Sequence, residues 1–258
     1  MNDSATFIGV DLAWHETNRS GLAVLHGDRR GARLIDVALV SSTEVHAYIK
    51  RYTTESTVVA IDAPLIILNK TGQRPCETLI SRRYASRHAG CHTSNLSLHP
   101  ESAAVRLAQD LEKHLSFRHA PAIAQSSESG RVMLEVYPHP AIVELFQLPS
   151  IIKYKKGKAA QRCHGQQELQ RRIGELSHFS PPLTTTPKLC EFLEIKTESL
   201  RGAGLKGNED KLDAIVCAYI AFYYWFWGAE RTQLFGDVKH GYIIVPFLPS
   251  ELHDSRMF

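Results

Sequence analysis

The 258-residue chain has no strong charge excess. Lys and Arg number 30 against 27 Asp and Glu, a formal net charge of +3. This balance neither demands nor excludes a polyanionic partner, because local patches matter more than the sum. A CxxC pair is also missing. The five cysteines, Cys76, Cys91, Cys163, Cys190 and Cys217, are odd in number and scattered. They read as reduced thiols, which argues against a disulfide scaffold and for a cytoplasmic chain. The opening residues "MNDSATFIGV" lack a charged leader before a long apolar core, so no signal peptide is expected. The most apolar stretch, "LDAIVCAYIAFYYWFWG", is short for a membrane span of roughly 20 residues and carries Asp213 near its head. It reads as a buried helix. Internal repeats and low-complexity segments are lacking. The glycine-rich "GAGLKGNED" follows no clear strand and lacks the lysine–serine ending of a phosphate loop, so it reads as a flexible lead into the last helix.

What remains is the pattern of an α/β protein. Strands are expected at 6–12, in "GLAVLHG" and in "ARLIDVALV", separated by the turn segments "HETNRSG" and "GDRRG". "SSTEVHAYIKRY" has Ser/Thr at its start and apolar residues at helical spacing, so a helix follows. "STVVAIDAPL" is a fully apolar strand ended by Pro64. The opening is therefore β-β-β-α-β. Residues 65–130, rich in Arg, His, Cys, Ser and Asn, read as a helical insertion with helices near 74–88 and 100–118. A further strand at 131–137, a helix from Pro138 to Pro149, a basic loop and helices at 160–177, 187–194 and 209–227 complete the chain. "GYIIVP" is an edge strand or an extended tail. The whole, 1–258, reads as one domain.

Acids recur where burial should dominate. Asp11 lies near the carboxyl end of the first strand, Asp62 at the same place on the fourth, and Glu135 near the end of the fifth. Asp210 and Asp213, three residues apart, share a face at the start of the long helix. Sites in open α/β sheets form outside the carboxyl ends of central strands. Strands lie about 4.8 Å apart, so parallel first and fourth strands would bring Asp11 and Asp62 together. Two carboxylates at about 4 Å repel by about 1 kcal/mol in water and about 4 kcal/mol at an intermediate dielectric. Such a group must protonate, admit a basic side chain or bind a divalent cation. The cation is the strongest of these, and oxygen-only ligands favour Mg²⁺ or Mn²⁺. Any single acid here is also explained as a loop residue or as a dipole-favoured first-turn carboxylate. The conjunction of three strands and one helix is what points to a site.

Other candidates surround the acids. "KYKKGKAAQR" gathers Lys153, Lys155, Lys156, Lys158 and Arg162 around Tyr154, able to hold phosphates or simply solvated. Arg74, Arg82, Arg83 and Arg87 form a second basic cluster, in which Arg83 and Arg87 share a helical face. His139, four residues after Glu135, is either a proton shuttle or a cap on the following helix. Cys76, His88, Cys91 and His92 fit no strong zinc spacing. The aromatic run at 222–227 reads as core packing rather than base stacking.

With "GVDLAW", "IDAPL" and "LDAIVCAY" in view, the chain resembles the ribonuclease H-like superfamily, for which β-β-β-α-β is the usual opening. The ordered motifs "GVDLAW", "IDAPL", "RPCE", "EVYPHPA", "LPSIIKYKKG" and "KLDAIVCAY" are similar to those of the domain-of-unknown-function family 429, whose members are described as predicted ribonuclease H-like nucleases. The resemblance implies a three-layer α/β/α fold with a mixed five-stranded sheet. It implies Asp11 and Asp62 as strand-end metal ligands and Asp213, helped by Asp210, as the helix ligand; Glu135 lies outside the superfamily's core set. The expectation is a divalent-metal-dependent nuclease with Mg²⁺ or Mn²⁺ as cofactor and Asp11, Asp62, Glu135 and Asp213 as catalytic acids. Lys153, Lys155, Lys156, Arg83, Arg87 and His139 would bind substrate. DNA or RNA is the expected partner and a membrane is not; homodimerisation is left open. The alternatives are an actin-like or sugar-kinase phosphotransferase and a non-catalytic nucleic-acid or nucleotide-binding protein. "HETNRSG" is a poor phosphate-binding turn for the former, and the chain is too short for two such domains.

Overall fold

The computed structural model of the chain describes residues 4–15, 17–119, 121 and 130–249. In chain order the strands are β1 (Ala5–Asp11), β2 (Arg19–Asp28), β3 (Gly31–Ser41), β4 (Thr57–Asp62), β5 (Arg118–His119), β6 (Arg131–Glu135), β7 (Leu183–Thr184), β8 (Thr232–Asp237) and β9 (Gly241–Pro246). The helices are α1 (Val45–Tyr52), α2 (Pro75–Tyr84), α3 (Ala103–Leu115), α4 (Pro138–Leu145), α5 (Ala159–Glu175), α6 (Pro187–Leu193) and α7 (Gly202–Trp227).

β1 through β7 form one sheet in the order β5-β6-β4-β1-β2-β3-β7. Its central five strands, with only β2 running counter to the rest, are the ribonuclease H-like arrangement that the opening implied. The expected count of five strands is corrected to seven: β5 and β7 add a two-residue parallel pairing at each edge. Two residues carry no readable alternation, so neither was visible in the sequence.

Strand parity decides which side chain meets which layer. On β1, Ile8 and Val10 face α1 and α3, while Phe7 faces α7. On β4, Val59 and Ile61 take the first face and Val58 and Ala60 the second. Asp11 and Asp62 share parity with Phe7 and Ala60, so both carboxylates lie on the α7 side. α7 crosses the sheet in backbone contact. A Cβ on Gly9 would stand 2.0 Å from the Ala214 carbonyl, and one on Gly21 would stand 2.1 Å from the Asp210 carbonyl. Only glycine permits that approach.

α7 begins at Gly202 rather than near 209, so the glycine-rich lead is helix. It is long and apolar enough to cross a membrane, but 83% of its most apolar window is buried between the sheet and α5. The aromatic run is core, as expected: Phe222 packs its ring 4.9 Å from that of Phe7. Residues between β4 and β6 contain α2, α3 and β5; of the expected insertion at 65–130, residues 120 and 122–129 lie outside those described. "GYIIVP" is a true strand, paired antiparallel with β8, and this hairpin packs on α2 through Phe235, Ile243 and Cys76.

Candidate active site

Asp11 and Asp62 are register partners at the carboxyl ends of β1 and β4. Among the described residues, neither carboxylate accepts a hydrogen bond. They look into a cavity of about 680 Å³, walled on one side by the chain that follows β1 and on the other by Cys91, His92 and Ile243. Burial pushes the Asp11 carboxyl well above the usual range; Lys155 opposes this and Asp213 and Asp62 add to it. Burial likewise lifts Asp62 to about 7, again opposed by Lys155 and assisted by Asp213.

Asp213 comes to the same place from α7. It is fully buried. Tyr154 donates its hydroxyl to Asp213 Oδ1 at 2.7 Å, and Lys155 Nζ lies 2.6 Å from Oδ2, off the hydrogen-bonding direction. Lys155 is 23% exposed. Burial works against its charge, but Asp213, Tyr154, Asp11 and Asp62 outweigh it and raise its pKa. Of the three ways to compensate gathered carboxylates, the molecule uses the basic side chain for Asp213.

The Tyr154–Lys155 pair is placed from below. A Cβ on Gly165 of α5 would meet the Lys153 carbonyl at 2.4 Å, so the loop lies directly on that helix. Gln166, buried beside it, donates to the Leu205 carbonyl at 3.1 Å and accepts from Asn208 at 2.9 Å. These bonds tie α5 to α7. Neither Gly165 nor Gln166 stood out in the sequence, since a lone glycine and glutamine in a helix carry no spacing signal.

The remaining expected residues divide. Asp210 is engaged by Lys206, one turn earlier, and lines the cavity wall. Glu135 has the parity of Ile61, its register neighbour, and so points to the other face of the sheet from Asp62. There it accepts from Arg74 through Nη1 at 2.9 Å and Nη2 at 2.6 Å, and from the Leu65 amide. Arg74 is 2% exposed and also pairs with Glu77 at 2.8 Å. Glu135 therefore anchors Arg74; both still line the cavity, and the Glu135 charge helps to raise the Asp62 carboxyl. Its position at a strand end matched the other acids; its parity did not. Arg87 donates to Glu144 and to the Leu148 carbonyl, and Arg83 lies over the Tyr84 ring, neither of them at the cavity. Lys153 is exposed, while Lys156 lines the cavity.

His139 lines it too. Tyr137 spends its single hydroxyl proton on the Gly90 carbonyl at 3.1 Å, so it accepts from His139 Nδ1 at 3.1 Å. Nε2 is then the bare nitrogen of a neutral ring, and it has no hydrogen-bond partner. Burial, with Lys155 and Lys156 nearby, holds the ring well below the usual histidine pKa. The helix-cap alternative does not describe its contacts.

The motifs that shape this cavity lie in a match that spans nearly the whole chain. Residues 9–240 match the family described as protein of unknown function, DUF429. The chain belongs to that family. No curated protein and no solved structure matches it.

For this DUF429 chain the divalent ion implied by the resemblance can be tested against the residues. Among the described residues, no three His, Cys, Asp or Glu side chains are grouped as a ready metal-ligating set. The four acids expected from the sequence do converge, since Asp213, Asp62 and Asp210 all raise the Asp11 carboxyl, but Asp210 and Asp213 are paired with Lys206 and Lys155. Asp11 and Asp62 do fit. They are adjacent, oxygen-only and without donors, and Mg²⁺ commonly takes one or two carboxylates with water and phosphate oxygens as the rest.

Proposed function

We propose that the protein is a divalent-metal-dependent nuclease that hydrolyses phosphodiester bonds at the Asp11–Asp62 pair. The observation that carries this reading is the register pairing of two donor-free carboxylates lining a cavity that also holds ammonium groups. Asp11 and Asp62 would hold Mg²⁺ or Mn²⁺. When bound, such an ion lowers the pKa of a water and polarises a phosphoryl oxygen.

The chain's own residues supply the rest. Lys155, fixed by Asp213 and Tyr154, presents a positive charge that needs no reorganisation when negative charge grows on the phosphoryl oxygens. Lys156 offers a second cation on the wall for a neighbouring phosphate. His139, kept neutral by burial, lines the wall as an uncharged side chain beside the substrate, and the proton of the attacking water passes to solvent. Water adds to phosphorus, the bond to the leaving oxygen breaks, and that oxygen is protonated from solvent.

One observation favours a second reading. Lys155 already neutralises Asp213, so the pocket can hold a polyanion without hydrolysing it, as a non-catalytic nucleic-acid or nucleotide-binding protein would. Labelled single- and double-stranded DNA and RNA, incubated with Mg²⁺ or Mn²⁺, separate the two. The nuclease reading expects cleavage of at least one substrate and a fall of about 100-fold or more in Asp62→Asn, in line with the loss of a metal ligand's second-shell or direct support. Binding without cleavage in every panel favours the second reading.

A further inference from the structure

We propose that the substrate is single-stranded nucleic acid, DNA or RNA, with one unpaired base resting on Trp14. This rests on the phosphodiester reading of the cavity and names the substrate class it takes. Trp14 lies three residues past Asp11, which places it within roughly 10 Å of that residue along the chain. It is 50% exposed. Trp225, by contrast, is buried in the core.

Trp14 also stands on a boundary. It lines the acid cavity and a neighbouring one of about 310 Å³. The second cavity is bordered by Leu98, 59% exposed, and by His99, whose ring centroid is 4.6 Å from that of Trp14. Beside the acids and lysines of the first cavity, Trp14, His99 and Leu98 thus supply an aromatic and aliphatic surface within a mixed wall that also carries His15, Glu101 and Arg106. A nucleotide has two matching parts, a charged phosphate joined to a flat base. An exposed indole recognises the base face, which every base has, so such a contact tolerates sequence.

The size of the site argues against a duplex. A volume of about 680 Å³ is that of a small-ligand pocket. Asp11 and Asp62 line it together with Trp14 and with Ile243 of the β8–β9 hairpin. Bases inside a helix are stacked on each other and keep their faces covered, whereas a single strand leaves them open to an aromatic platform.

The test is fluorescence anisotropy with short labelled DNA and RNA, single-stranded and blunt duplex. It is run in EDTA and separately in Ca²⁺, for wild type, Trp14→Ala and Trp14→Phe. The expected result is tighter binding of single strand than duplex, weakened roughly 5- to 100-fold by Trp14→Ala and held within about 3-fold by Trp14→Phe. The DNA and RNA arms identify the source of the strand. Equal affinity of Trp14→Ala and wild type, binding of duplex as tight as single strand, or no single-strand binding in either buffer overturns the inference. Failure of the nuclease reading looks different: Trp14-dependent binding persists while no panel is cleaved.

Discussion

Asp62 holds its proton to about pH 7, against an ordinary carboxyl value of 3.8, because the fold strips water from it. Between those values the folded state binds more protons than the unfolded chain, so this residue's contribution to stability is lost as pH rises through that window. Asp62→Asn removes the charge and with it the penalty. In metal-free buffer at pH 8 the variant is expected to melt above wild type, by about 2–4 °C for each kcal/mol recovered, and level with it near pH 4. A lower melting point at pH 8 would contradict the account. Lys155 works in the opposite sense. Lys155→Ala leaves the fully buried Asp213 without its cation and should cost about 3–5 kcal/mol in urea unfolding. Tyr154→Phe removes one hydrogen bond to a charged group and should cost about 1.5–3 kcal/mol. At this scale the sequence was informative about Asp11 and Asp62, since strand-end acids in apolar runs are visible. It did not tell that Lys155 would pair with Asp213, because no local pattern links 155 to 213.

Among the elements, α7 sets the geometry, and two glycines set α7. Gly9→Ala and Gly21→Ala each drive a methyl group into helix backbone that has no rotamer to yield, so a loss of about 1–3 kcal/mol or more is expected by urea unfolding. Gly204→Ala provides the contrast. A Cβ there meets nothing nearer than Leu200 Cδ2 at 3.9 Å, and the change should be neutral or stabilising by up to about 1 kcal/mol. If all three behave alike, the close crossing of sheet and helix is not what holds Asp213 beside Asp11. The helix itself was legible from its apolar run, but its first seven residues were not, because glycine and lysine there read as a loop. Glu135 shows a different limit: its element and its place at the strand end were legible, but its pairing with Arg74 was not.

Across the whole molecule, the β-β-β-α-β opening gave the three layers, since period-two strands and an amphipathic helix are local signals. The two-residue edge strands depend on distant partners and carried no such signal, while of the β8–β9 hairpin only "GYIIVP" was legible, as an edge strand or a tail. Long-range register also brings Asp11 and Asp62 together, and on that pair the functional reading stands or falls. Calorimetric titration of Mn²⁺ into wild type, Asp11→Asn and Asp62→Asn at pH 8 tests it most directly. The account predicts saturable binding to wild type, weakened at least about 10-fold in either variant. Equal binding by all three proteins, or none by wild type, would contradict it.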